Sequence, residues 1–219
     1  MAHFTYRNKA GVKVPSVTTM LGKFKDPGPL QYWAWDLGMR GINFRDQMDK
    51  AADIGTIAHK LAECHMRGLP FDPAPYDADA LKKAQVPFSA FLEWAGGSKL
   101  TSEASEVPMV SEKYGFGGCM DVVFINGRRQ ISDLKTSKAV YAEYWAQILG
   151  YSILWEENFP DKPVDGGYSI IRFDRGGEFA HHWLPPDHPK VIAAREYFLA
   201  IVTAYKAKLV MDGKGVESL

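Results

Sequence analysis

GGCMDVVFINGRRQISDLKTS, residues 117–137, is the stretch from which the fold of this chain can best be predicted. Its apolar run VVFI is followed by Asn126-Gly127, a strong signal for a tight β-hairpin turn. Side chains alternate between the two faces of a strand, so Asp133 and Lys135 emerge on the same face. Strand pairing can bring Asp121 close to Asp133. Two carboxylates and one ammonium would then crowd onto one face of a sheet.

Outside this hairpin, the sequence pattern predicts helices first and then a mixture of strands and helices. Helices are predicted to begin at 15–21 and to cover 30–40, 46–67, 80–96, 141–157 and 187–211. Strands are predicted over 105–114, 118–126, 129–135, 168–174 and 178–184. This order indicates an α/β fold of the mixed α+β kind, in which helices flank a central mixed β-sheet.

Length and composition predict one folded domain. The chain has 219 residues, of which 46% are hydrophobic, and this is enough for a sizeable core. We predict a single domain over 1–219, with a mainly helical part over 1–100 and a sheet core with a C-terminal helix over 101–219. The formal net charge is zero, so any attraction to nucleic acid must come from local basic patches.

The cysteine count and the hydropathy pattern predict the cellular compartment. Cys64 and Cys119 are too few for a disulfide scaffold or for a four-cysteine iron–sulfur or zinc site. The first residues contain no apolar signal region, and no apolar run is long enough to span a membrane. We therefore expect a protein of a reducing cytoplasm, with no iron–sulfur cluster and no membrane association.

The facing carboxylates point to metal chemistry. Hard divalent ions such as Mg²⁺ and Mn²⁺ prefer carboxylate, carbonyl and water oxygens. One or two such ions can clamp a phosphodiester, activate water and stabilise the leaving oxygen, while a lysine orients the water and offsets charge. A solvated ion pair on a surface hairpin also explains a bare D-x-K triplet, so the triplet alone does not decide the function.

Several short motifs in sequence order resemble the PD-(D/E)XK nuclease superfamily, in particular its RecB-like branch. They are G-T-I-A-H at 55–59, G-G-C-M-D at 117–121, D-L-K-T-S at 133–137 and Q-x-x-x-Y at 147–151. P-S-V-T-T-M-L at 15–21 is similar to the opening of phage exonucleases and mitochondrial genome maintenance exonucleases. One departure is that Met, not Pro, precedes Asp121.

The resemblance implies a restriction-endonuclease-like core with an N-terminal helical layer, and roles for individual residues. Asp121, Asp133, the main-chain carbonyl of Leu134 and His59 would bind one or two Mg²⁺ or Mn²⁺ ions. Lys135 would orient or activate water. Further residues would face the site or contact DNA: Gln147 and Tyr151 on a helix, and Thr136 and Ser137 as phosphate donors. Independently of the resemblance, Lys138, Arg172 and Arg175 are basic residues near the predicted sheet that can contact phosphates.

The function implied is a DNA exonuclease of phage or bacterial recombination and repair, acting in the host cytoplasm if phage-encoded. A single-strand annealing protein is the partner that this analogy implies. A structure- or sequence-selective endonuclease and a catalytically silent nucleic-acid-binding module stay open as alternatives. Glu106 or Glu112 is a further candidate for an acidic ligand.

Overall fold

The computed structural model describes residues 4–213, so the first three and last six residues of the predicted domain 1–219 lie outside it. Six helices and five strands make up this part of the chain. In chain order they are α1 (Val17–Phe24), α2 (Gly28–Met39), α3 (Phe44–Arg67), α4 (Ala78–Gly97), β1 (Thr101–Ser111), β2 (Phe116–Asn126), β3 (Arg128–Lys135), α5 (Ala142–Asn158), β4 (Gly167–Phe173), β5 (Phe179–Leu184) and α6 (Pro189–Met211).

The five strands form one mixed sheet in the order β1-β2-β3-β4-β5. Neighbouring strands are antiparallel except β3 and β4, which are parallel because the chain crosses over through α5 between them. The predicted hairpin is confirmed, since β2 and β3 pair from Val122↔Ser132 to Asn126↔Arg128 around Gly127. The predicted mixed sheet flanked by helices is confirmed as well.

A hydrophobic cluster covers each face of the sheet. On one face α1, α5 and α6 pack over side chains such as Met120, Val123 and Ile131. On the other face α3 and α4 pack over Val122 and Leu134, among others. The helices of the N-terminal part therefore do not form a single layer, because α1 crosses to the α5 face.

Helix α3 runs without a break through Gly55. A Cβ atom at this position would lie 2.9 Å from Oγ1 of Thr136, so the glycine allows α3 to approach the end of β3 closely. Among residues 4–213, no helix combines the length and the apolar character needed to cross a membrane.

Candidate active site

The ladder between β2 and β3 ends next to the two predicted acidic ligands. The last paired residues are Val122 and Ser132, and beyond them the N–H of Leu134 donates to Oδ2 of Asp121 at 2.8 Å. A carboxylate thus takes the place of a main-chain acceptor. Since the N–H and C=O of a strand residue point to the same side, the Leu134 carbonyl faces the same gap between the strands.

Lys135 lies against Asp133, as expected for two residues on one face of β3. Its Nζ atom is 2.5 Å from Oδ2 of Asp133 and donates to Oε1 of Gln147 at 3.2 Å. The ammonium also lies 4.8 Å from the ring centroid of Tyr144, within cation–π range. Three neighbours therefore fix the position of this charge.

Gln147 and Tyr151 of α5 face the site together. The Nε2 atom of Gln147 donates to Oδ1 of Asp133 at 3.3 Å and to the hydroxyl of Tyr151 at 2.9 Å. Residues three and four apart share a helix face, which also brings Tyr144 into this row. One amide group thereby connects an acidic residue, the lysine and a buried tyrosine.

His59 reaches the same place from α3. Its Nδ1 atom lies 3.9 Å from Oδ2 of Asp121, and this buried nitrogen has no hydrogen-bond partner among the described residues. The Oδ2 atom of Asp133, in contrast, is in ion-pair contact with Lys135. Buried polar atoms are normally paired, so the His59 nitrogen needs an explanation.

The electrostatics of the site favour a bound cation. Burial raises the pKa of Asp133 to about 6, with Lys135 opposing and Asp121 adding to the shift. Burial also raises the pKa of Asp121, against Lys135 and the Leu134 N–H. Burial, assisted by Lys135, lowers the pKa of His59 to about 4 and leaves the imidazole neutral at pH 7. Added positive charge would stabilise both carboxylates, and a neutral imidazole is a metal ligand.

The separation of His59 and Asp121 leaves room for a small divalent ion between them. At bond lengths of about 2.1 Å, neighbouring ligand atoms lie about 3 Å apart and opposite ones about 4 Å apart, a range that includes the His59–Asp121 separation of 3.9 Å. Among residues 4–213, no group of three or more His, Cys, Asp or Glu side chains is arranged to hold a metal ion. Mg²⁺ commonly uses one or two carboxylates and keeps several waters.

Of the residues predicted to contact phosphates, Thr136, Ser137 and Lys138 lie beside the candidate site. Thr136 and Ser137 line a cavity of about 310 Å³ beside Lys135 and His59, together with Arg175. Lys138 is exposed next to them.

Arg172 does not reach this cavity as a free cation. Its guanidinium is buried, pairs with Asp174 at 3.3 Å and Glu178 at 3.4 Å, and donates to the main-chain carbonyl of Lys138 at 3.3 Å. Arg175, and not Arg172, lines the cavity, and the predicted phosphate contact of Arg172 stays a prediction.

Two residues near the site had only weak sequence signals. Tyr144 precedes Gln147 by one helical turn, so the periodicity of α5 contained the signal for it. Glu106 shares a cavity of about 510 Å³ with Asp121 and Lys135. Glu112, the alternative acidic candidate, lies elsewhere and accepts a hydrogen bond from the N–H of Lys9 at 2.9 Å.

Comparisons with known proteins do not assign a family. No protein-family model matches the chain, and no curated protein matches it. Among solved structures, one described as a "Putative exonuclease" from Eubacterium rectale has 13% sequence identity and a TM-score of 0.49, over 74% of this chain and 69% of that chain. Likeness at this level does not identify an activity for this chain.

Proposed function

We propose that this protein is a metal-dependent DNA nuclease, and specifically an exonuclease that hydrolyses phosphodiester bonds. The observation that carries the proposal is the convergence of Asp121, Asp133 and Lys135 at the open end of the β2–β3 ladder, beside a buried His59 nitrogen that has no hydrogen-bond partner among residues 4–213. A solvated surface pair does not fit this arrangement, because Asp133 is fully buried.

A divalent ion of the Mg²⁺ or Mn²⁺ type would be held by Asp121, Asp133, the Leu134 carbonyl and His59, and it would supply Lewis-acid activation of water and phosphate. The chain itself supplies the fixed ammonium of Lys135. Burial acts to lower the pKa of this lysine, but Asp133 and Asp121 outweigh burial and raise it, so the charge persists at neutral pH. It can orient the attacking water and offset negative charge as it develops on the phosphate.

Gln147 acts as a positioning residue in this scheme. It accepts from Lys135 through Oε1 and donates to Asp133 and Tyr151 through Nε2, which fixes the direction of both charged side chains. Thr136, Ser137 and Arg175 line the adjacent cavity, where they can donate to a neighbouring phosphate.

The preference for an exonuclease over an endonuclease is supported by the order of the motifs at 15–21, 55–59 and 147–151, which resembles phage and mitochondrial exonucleases. On the same basis we propose a role in phage or bacterial recombination or repair, with a single-strand annealing protein as partner. The intact set of two acidic residues and one lysine supports an enzyme rather than a silent binding module.

End-labelled single- and double-stranded DNA tests the proposal when it is incubated with the protein in Mg²⁺, Mn²⁺ or EDTA. Lys135→Ala is the inactive variant, and Lys83→Ala is the matched control, because Lys83 is exposed on α4 and forms an ion pair with Asp79 one helical turn away. We expect short products in either metal, none in EDTA, loss of cleavage by at least a hundredfold in Lys135→Ala, and wild-type rates in Lys83→Ala.

The product pattern separates the alternatives. Products that shorten progressively from one labelled end support the exonuclease and give its direction. Discrete internal cuts would replace it with the endonuclease. DNA binding without any cleavage in either metal would contradict a nuclease and leave the silent binding module.

A further inference from the structure

The N-terminal arm, residues 4–16, places an exposed aromatic ring at the edge of the candidate active site. Phe4 is 43% exposed and belongs to neither of the two hydrophobic clusters. Its side chain lines three adjoining cavities of about 550, 510 and 410 Å³. A large apolar side chain in this position is not needed for the core and is accessible to a ligand.

Two of these three cavities contain the residues of the proposed centre. The 510 Å³ cavity runs from Phe4 to Asp121, Lys135 and Gln147. The 410 Å³ cavity runs from Phe4 to His59. Phe4 therefore lies where two approaches to the centre meet.

The arm is attached to the sheet by specific contacts. Tyr6 packs directly over Gly117, where a Cβ atom would lie only 2.4 Å from its ring. The N–H of Val14 donates to the Tyr6 carbonyl at 3.0 Å, and the N–H of Gly117 donates to the Pro15 carbonyl at 2.9 Å. The Phe4 ring lies 6.2 Å from that of Tyr6, so the exposed ring follows an anchored one.

We propose that Phe4 is a stacking platform for a nucleobase of the DNA strand whose phosphate lies at Lys135. This inference rests on the proposed nuclease function and names a substrate contact for it. A flat aromatic ring can stack on any base, because every base has a π-face. A platform of this kind binds the strand without sequence preference, as an exonuclease requires.

Fluorescence of 2-aminopurine tests the stacking directly. Single-stranded oligonucleotides with 2-aminopurine at the 5′ end, the 3′ end or the centre are bound to the Lys135→Ala protein in Mg²⁺, so that no cleavage interferes. We compare Phe4→Ala and Phe4→Trp in this background. Tyr197→Ala is the control, because Tyr197 is an exposed aromatic residue of α6 that lines none of the three cavities.

We expect quenching of the probe at one position, loss of this quenching in Phe4→Ala, and recovery in Phe4→Trp. Affinity should fall about tenfold in Phe4→Ala, which is the size of effect that removal of one stacking contact gives. Gly117→Ala should reduce quenching in the same way, since the added Cβ atom displaces Tyr6 and the arm with it.

Two negative results have different meanings. If DNA binds and Phe4→Ala quenches the probe as strongly as its parent, the stacking inference is wrong while the nuclease proposal stands. If the wild-type protein neither binds nor cleaves DNA in either metal, the proposed function fails and the stacking inference fails with it.

Discussion

Replacing Glu106 by Gln is expected to stabilise the metal-free protein at alkaline pH. Glu106 belongs to β1 and lies in register with Asp121, because the flanking pairs are Ser105↔Val122 and Val107↔Met120. Burial raises the pKa of Glu106 from 4.5 to about 7, and the Asp121 carboxylate adds to the shift. Gln has nearly the same shape and removes the charge.

The sign of the effect follows from proton binding. Between pH 4.5 and about 7, the folded protein keeps a proton on Glu106 that the unfolded chain has released, so stability falls as pH rises through this window. The full difference between these pKa values corresponds to about 3 kcal/mol. Because the side chain is partly exposed, solvent screening reduces the expected gain to about 2 kcal/mol at pH 8.

Urea unfolding followed by tryptophan fluorescence in EDTA measures this gain. At pH 8 we expect Glu106→Gln to gain about 2 kcal/mol, or about 4–8 °C in Tm for a chain of this size. At pH 4.5 the gain should shrink to a few tenths of a kcal/mol, because the folded and unfolded proteins then differ little in proton binding.

Glu103→Gln on the same strand is the control, for which we expect the opposite change in stability. Arg129 and Lys162 donate hydrogen bonds to Glu103 and lower its pKa, so its carboxylate stabilises the fold above about pH 4.5, and this contribution is lost as pH falls. Removing it should therefore destabilise the protein at pH 8. The reasoning is refuted if Glu106→Gln is no more stable than wild type at pH 8, or if its gain is equal at both pH values.

Three further substitutions distinguish residues that position the catalytic groups from residues that only pack in the core. Gln147→Leu should lower single-turnover cleavage at least tenfold with DNA affinity changed by less than about threefold, because Lys135 loses a hydrogen bond that orients it; equal losses in both would contradict a positioning role. Gly118→Ala should cost about 1–3 kcal/mol in urea unfolding and also slow cleavage, because its Cβ atom would lie 2.8 Å from the Tyr151 ring. Gly150→Ala should cost a similar amount, since its Cβ atom would lie 2.9 Å from an aromatic ring of α6, yet leave the cleavage rate of the folded protein unchanged.

Local patterns in the sequence were sufficient to predict the central hairpin and the mixed sheet. Asn126-Gly127 determines the turn, and the alternation of side chains places Asp133 and Lys135 on one face. The helical repeat likewise places Gln147 and Tyr151 together on α5. These relations depend on residues close in sequence, which is why they can be read without a structure.

Contacts between distant segments could not be predicted from local sequence patterns. Glu106 faces Asp121 only because of the register of β1, which no short motif encodes. The ion pairs of Arg172 with Asp174 and Glu178 likewise depend on the geometry of the β4–β5 turn. Phe4 reaches the site through an arm anchored on Gly117, about a hundred residues further along the chain.

Without a metal, the burial of polar groups makes this site electrostatically unfavourable, and the rest of the fold holds it in place. Asp121 and Asp133 are buried with raised pKa values, and the buried Nδ1 atom of His59 has no hydrogen-bond partner in the described part of the chain. Burial of these polar groups costs free energy even where they are partly paired, and the hydrophobic clusters on both faces of the sheet must offset this cost. Apolar side chains would give a more stable strand end at these positions. The same arrangement would become favourable if a divalent cation neutralised the carboxylates, as the proposed metal-dependent function requires.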